Sequence, residues 1–225
     1  FICPIKFMPQ ELSHQERYQR ARLAFQQGDT ITAEQRLRSL VDDFPDIHEY
    51  RIAFANFLSA QNKADDAAAL FRRSTPDDAY NRGHYLSHAG NALAAIEHFK
   101  TAIQLGLESR ADALTRIAGL LREELHDDNA AEEYYLKARA SDANYSAAKV
   151  NLANLYQDCG DKESADALLT QIDANDPLYP LALTRRAAMY RRQEMLEALE
   201  QCMKNISPNR DMQCDMLYEL GHQNE

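Results

Sequence analysis

Glycine and proline are scarce in this chain, seven of each in 225 residues, and cysteine is scarcer at four. Ala, Leu, Glu, Gln and Arg are abundant instead. These residues lose little rotamer freedom in a helical backbone, so the chain reads as all-α. The cysteines Cys3, Cys159, Cys202 and Cys214 form no C-x-x-C pair and are too few to staple a chain of this length. That excludes a disulfide scaffold and fits reduced thiols in a cytoplasm. No apolar run approaches the length of a membrane span. The opening "FICPIKFM" is short and lacks a charged start followed by a long apolar region, so it makes a poor signal peptide. Phosphate-cradling glycine loops are missing, as are the zinc-protease and nucleophile-elbow patterns, which leaves no candidate catalytic residue and no cofactor site. Excess basic charge is missing too. A net charge of -10 excludes a general nucleic-acid binder, whose ligand demands a basic face.

What is present is enough apolar material, 45% of residues, to bury a sizeable core, and a regular arrangement of small side chains. In "NLANLYQDCGDKESADALL" two amphipathic stretches flank Gly160-Asp161. Glycine accepts the left-handed backbone that ends one helix, and Asp accepts hydrogen bonds from free N–H groups at the start of the next. Ala153 before the turn and Ala165 after it are twelve residues apart, the places where two helices of a hairpin can approach closely. The same interval separates Ala21 from Ala33, Ala55 from Ala67 and Gly83 from Ala95, with near matches at Ala118 to Ala131 and Ala187 to Ala198. The second-helix alanines 33, 67, 95, 131, 165 and 198 follow one another at 34, 28, 36, 34 and 33 residues, which is a repeat period. Pro45, Pro177 and Pro208 follow second helices as stops. Turns are expected near Gly28, Asn62, Gly90, Asp127, Gly160 and Glu194.

On these residues the chain resembles the tetratricopeptide repeat family from about Ser13 to the end, best in Phe25–Asp46 and Asn151–Pro177. Leu152, Ala153 and Tyr156 match the family's first-helix pattern. Other units depart from it: Asn62-Lys63 replaces Gly-Asp, the fourth turn has an extra residue, and the link from second to third unit is six residues short, near Thr75-Pro76. The resemblance implies an all-α, right-handed solenoid of about six and a half helix-turn-helix hairpins over residues 13–225, behind a tail at 1–12. It also implies a non-enzymatic scaffold that binds a protein or peptide segment in the concave groove lined by first helices.

First-helix residues lying off the buried stripe are Tyr18, Arg22, Asn56, Asn81, His84, Arg116, Asn151, Asn154, Arg185 and Arg191. Those from Asn56 onward are the candidate partner-binding residues. Asn both donates and accepts, so it suits the backbone of an extended segment, and Arg offers a forked cation for a carboxylate, so an acidic partner is expected. Some family members clamp chaperone-tail carboxylates with Lys, Asn, Asn, Lys and Arg. Asn56, Asn81 and Arg116 match three of those places, but Ile52 and Asp112 stand where the lysines belong, which excludes that ligand. His84 and His88 lie four apart, a spacing two imidazoles could use on a metal, but no third ligand is near in sequence, so no metal site is expected. Paired acids such as Asp42-Asp43 and Asp127-Asp128 read as helix-end caps.

The last stretch, Arg210–Glu225, resembles a first helix without its second. It predicts that the chain is part of a longer, bacterial protein, and that in isolation the half-repeat either caps the sixth hairpin or packs against another copy. The alternative function is an accessory region of a larger enzyme, because the stretch is similar to the segment before the last repeat of bacterial sulfotransferases that carry such repeats. Cys202, on the stripe of the last complete second helix, is expected to be buried.

Overall fold

Five short turns carry the architecture, and each contains a residue with positive φ. In the computed structural model, which describes residues 12–72 and 74–189, these are Gly28, Asn62, Gly90, His126 and Gly160. The sequence places its first five turns at or next to these residues. Behind Gly28, Gly90 and Gly160 the next residue's N–H reaches back to a carbonyl five residues earlier: Asp29 to Ala24, Asn91 to Leu86, Asp161 to Tyr156. That bond closes a Schellman-type end, for which glycine's freedom at positive φ is suited. Three of the turns then start the next helix with an Asp cap. Asp29 accepts from Thr32 N, Asp127 from Ala130 N and Asp161 from Ser164 N, each at 3.0 Å. The extra residue of the fourth turn shows as a longer loop-back, from Asp127 N to Leu121 O.

Eleven α-helices and no strand occupy the described residues. They are α1 (His14–Gln26), α2 (Thr30–Asp43), α3 (His48–Ala60), α4 (Ala64–Ala68), α5 (Pro76–His88), α6 (Ala92–Gln104), α7 (Arg110–Glu123), α8 (Asp128–Ser141), α9 (Ser146–Asp158), α10 (Lys162–Leu169) and α11 (Tyr179–Met189). They form five helix-turn-helix hairpins and the first helix of a sixth. Ser13 opens α1 with a capping box, its hydroxyl accepting from Glu16 N and the Glu16 carboxylate accepting from Ser13 N. Two compact units divide the chain, Phe1–His98 and Phe99–Glu225. The turn expected near Glu194, together with Ala198, Cys202, Pro208, most of the 1–12 tail and the half-repeat, lies outside the described residues. Cys159 is exposed at the end of α9. No helix among the described residues is long and apolar enough to cross a membrane.

The core of each unit begins at the small residues. Ala21, Ala33, Ala55, Ala67, Ala95, Ala118, Ala131 and Ala165 are all fully enclosed, and Ala153 nearly so. A methyl group there allows backbone-close packing, and larger side chains fill the space on either side. In unit 1 these are Leu37, Leu40, Tyr50, Phe54 and Phe57. In unit 2 they are Tyr135, Val150, Leu152, Leu155, Leu168 and Leu169. Pro45 stands two residues past the end of α2 and fits its role as a stop, whereas α10 ends at Leu169, well ahead of Pro177. Proline is not what halts α10.

The short link is absorbed by the second helix of the second hairpin. Lys63 replaces the capping Asp and makes no side-chain cap, and α4 runs for only 5 residues. Arg72 Nε then donates to Ala69 O at 2.7 Å, occupying a carbonyl at the helix end, and Thr75 caps α5 with Pro76 in its first turn. The space that a full-length helix would fill is taken by Phe71, 1% exposed, whose ring stacks on Tyr85 at 5.5 Å with 9° between planes. Arg51 of α3 lies over this plug, its guanidinium 5.9 Å from the Phe71 ring centroid. Its Nη1 donates to Asp78 Oδ2 of α5 at 2.9 Å, and both residues are buried, Arg51 at 7% and Asp78 at 1% exposure.

Removing one partner of a buried ion pair leaves an uncompensated charge, whereas replacing both with apolar groups restores packing. Asp78→Ala is therefore expected to lower stability by about 3–5 kcal/mol in urea unfolding, and Arg51→Met with Asp78→Leu to cost less than either single change. The Asp caps give a pH dependence. Hydrogen bonds from Thr32 hold the Asp29 carboxyl below its ordinary value of 3.8, and those from Ser164 do the same for Asp161. A depressed carboxyl stabilises the fold above its unfolded value and loses that contribution as pH falls through the folded one. Asn caps a helix as well as Asp without titrating. The double change Asp29→Asn, Asp161→Asn should flatten the fall of melting temperature below pH 4, the unfolded carboxyl range.

Candidate functional site

The first helices α1, α3, α5, α7, α9 and α11 carry every candidate residue except Arg191, which lies outside the described residues. Within unit 1 the polar candidates have structural work. Asn56 Oδ1 accepts from the Tyr85 hydroxyl at 2.7 Å, a bond from α5 back to α3. Burial pushes that tyrosine's pKa up to about 12, so the hydroxyl stays a donor at neutral pH. Asn81 Nδ2 donates to Asp77 O at 2.8 Å and lies 3.4 Å from His48 Nε2, while His48 Nδ1 is 3.1 Å from Arg51 Nη2. Asn81 thus borders the Arg51–Asp78 pair. The His84 ring meets those of Tyr85 and His88 edge-on, with centroids at 5.1 and 4.6 Å. Among the described residues no group of three His, Cys, Asp or Glu side chains could hold a metal ion.

Three first-helix residues singled out in the sequence share one cavity of unit 1. Tyr18 and Arg22 from α1 and Asn56 from α3 line a space of about 220 Å³, together with Phe25, Ala53 and Phe57. Helical spacing explains the grouping, because positions 18, 22 and 25, like 53, 56 and 57, fall on one helix face. Phe57 is buried, whereas Phe25 is 44% exposed and meets the Phe57 ring edge-on at 5.4 Å. Arg22 lies over the Tyr18 ring, 6.0 Å from its centroid.

In unit 2 the first-helix polar groups divide differently. Arg116 Nε donates to Asp112 Oδ2 at 2.9 Å, and the Tyr145 hydroxyl donates to the other oxygen of the same carboxylate at 2.7 Å. Asp112 thus pairs with the arginine one turn along. Arg186 is engaged as well, its Nε 2.5 Å from Asp166 Oδ1 on α10. Its neighbour Arg185 is half-buried, and its Nε has no hydrogen-bond partner among the described residues. Asn154 Oδ1 is in the same position, enclosed and unpaired. Most buried polar atoms in folded proteins find a partner, so these two, like Arg51 Nε in the buried pair of unit 1, carry unmet hydrogen bonding among the described residues.

Sequence reasoning missed Phe25 and Phe57 as site residues, although Phe25 falls three residues after Arg22 on the same helical face. It also missed the tyrosines that occupy the candidates. Tyr85 follows Asn56 by 29 residues and Tyr145 follows Asp112 by 33, so one reaches back from the next first helix and the other from the residue that opens it, a signal readable as roughly one repeat period.

No protein-family model matches the sequence, and no curated protein matches it. Solved structures do resemble it. PilW, a widely conserved type IV pilus biogenesis factor, superposes with a TM-score of 0.61 at 14% identity, over 92% of this chain and 100% of that one. A tetratricopeptide repeat protein from Parabacteroides merdae gives 0.58 at 15% identity, covering 88% and 82%. YrrB, a TPR protein with an unusual peptide-binding site, gives 0.52 at 19% identity, covering 82% and 97%. With its helix-turn-helix hairpins, glycine turns and enclosed alanines, the chain shares its fold with the tetratricopeptide repeat proteins.

Proposed function

We propose that this chain is a non-enzymatic scaffold that holds an extended protein or peptide segment, acidic in character, against its first helices in the concave groove. The observation that carries the reading is a pair of groups on first helices of unit 2, Asn154 Oδ1 and Arg185 Nε, that have no hydrogen-bond partner among the described residues. Both side chains are only half-buried, so part of each is open to a ligand. Asn154 suits a backbone N–H, and Arg185 suits a carboxylate or a backbone carbonyl. Asn151, one turn before Asn154, adds a further amide. The likeness to YrrB, which has a peptide-binding site, supports the same use of this fold.

Asn81 and Arg116 have internal partners, so Asn154 and Arg185 provide the cleaner test. Peptides selected from a displayed random library on the purified chain should bind with a Kd below about 100 µM. Changing Asn154 and Arg185 to Ala together should weaken the selected peptides by about tenfold or more, the size of one or two lost hydrogen bonds to a charged or buried group. Selected peptides that bind the double variant unchanged would remove these residues from the site. Failure to select any binder would sink the scaffold reading.

A further inference from the structure

We infer that the cavity between α1 and α3 receives an apolar ring carried beside a carboxylate, so that a partner anchors on unit 1 through a phenylalanine-like residue with acidic character next to it. This rests on the scaffold reading and adds the chemistry of one anchor. The cavity's volume of about 220 Å³ exceeds the roughly 150 Å³ that accommodates a benzene molecule in a protein interior. Its walls already contain rings, with Phe57 and Tyr18 inside and Phe25 standing 44% exposed at the opening. An incoming ring can meet these edge-on and remove Phe25 from water, which is the arrangement that makes a concave site bind.

Charge selects the neighbour of that ring. Arg22 stands exposed at the rim, its guanidinium over the Tyr18 ring, and has no carboxylate partner among the described residues. No Asp or Glu lines the cavity, although the chain as a whole carries a net charge of -10. The lining of this cavity therefore carries one cation and no carboxylate, although Tyr18 and Arg22 also border an adjoining space with Glu16 and Glu49, and a carboxylate beside the anchoring ring meets a forked, permanently charged donor. Asn56 completes the rim. Its Oδ1 is taken by Tyr85, which leaves its amide N–H groups for a ligand carbonyl.

The test uses three small probes with the full chain, followed by NMR of backbone and aromatic signals. N-acetylphenylalanine carries ring and carboxylate, its amide carries the ring alone, and N-acetylglutamate carries carboxylates alone. The first should give saturable shifts at Tyr18, Arg22, Phe25 and Phe57 with a Kd of about a few millimolar, as expected of so few atoms. The amide should bind about fivefold more weakly, and N-acetylglutamate should not saturate. Arg22→Gln should abolish the difference between acid and amide. Ala53→Leu, which fills the cavity, and Phe25→Ser, which changes only a half-exposed wall, should each weaken both ring-bearing probes at least about fivefold. Absence of saturable shifts at these residues, equal binding of acid and amide, or indifference to Arg22→Gln would each overturn the inference. These outcomes leave the Asn154 and Arg185 experiment on unit 2 to judge the scaffold reading separately.

Discussion

Close approach of two helices at a pair of methyl groups is the contact on which each hairpin depends. Ala21 with Ala33, Ala55 with Ala67 and Ala153 with Ala165 are enclosed to the point of having essentially no surface left. Bringing backbones together there lets Leu37, Phe54, Leu152 and Leu169 interlock around them, and the turn between must then be short enough to return the chain at once. Positive φ at Gly28, Gly90 and Gly160 supplies the reversal, and an Asp at the following position supplies the next helix start in two of those three turns. Small residue, glycine, cap and small residue are thus one device spread over twelve positions. The first helices follow from it, since burying the alanine face leaves the opposite face to present Tyr18, Arg22, Asn154 and Arg185.

The second hairpin shows what happens when the device is incomplete. Asn62 adopts the left-handed conformation in place of glycine, Lys63 cannot cap, and α4 lasts barely more than a turn. The chain compensates with a different kind of chemistry. Phe71 fills the vacated volume, and the Arg51–Asp78 pair ties α3 to α5 beside it. A buried pair is weak evidence for net stability, since desolvation offsets most of the attraction. Here it sets how two successive first helices of unit 1 lie against each other, and it draws His48 and Asn81 into the same cluster.

The helices and turns were legible in the sequence because they depend on local spacing: alanines at twelve-residue intervals, glycine or asparagine at the turn, aspartate after it. The shortened α4 was legible as a missing six residues but not as a structure, because the choice of Phe71 as a plug depends on packing between α3 and α5. The candidate site was only partly legible. Periodicity names the residues on a face, and three of those it names, Tyr18, Arg22 and Asn56, line one cavity that periodicity alone does not foresee. It cannot say whose hydrogen bonds are already spent. Asn56 is bound by Tyr85 and Arg116 by Asp112, while Asn154 and Arg185, which look the same in sequence, keep atoms without partners among the described residues. For Asn56 that distinction is made one repeat away, by Tyr85.

In an array of hairpins, stability is a sum of unit and neighbour terms, so damage at one close contact should remain local. The most direct measurement is hydrogen exchange by mass spectrometry on Ala165→Leu, which forces an isobutyl group into the contact between α9 and α10. Overpacking a filled interior costs about 1–3 kcal/mol. If methyl-to-methyl approach is what holds the hairpin, amides of α9 and α10 should exchange at least about fivefold faster, by the corresponding Boltzmann factor, while those of α1 and α2 keep their protection. Unchanged protection in α9 and α10 would contradict the account, because the hairpin would then stand without the contact said to create it.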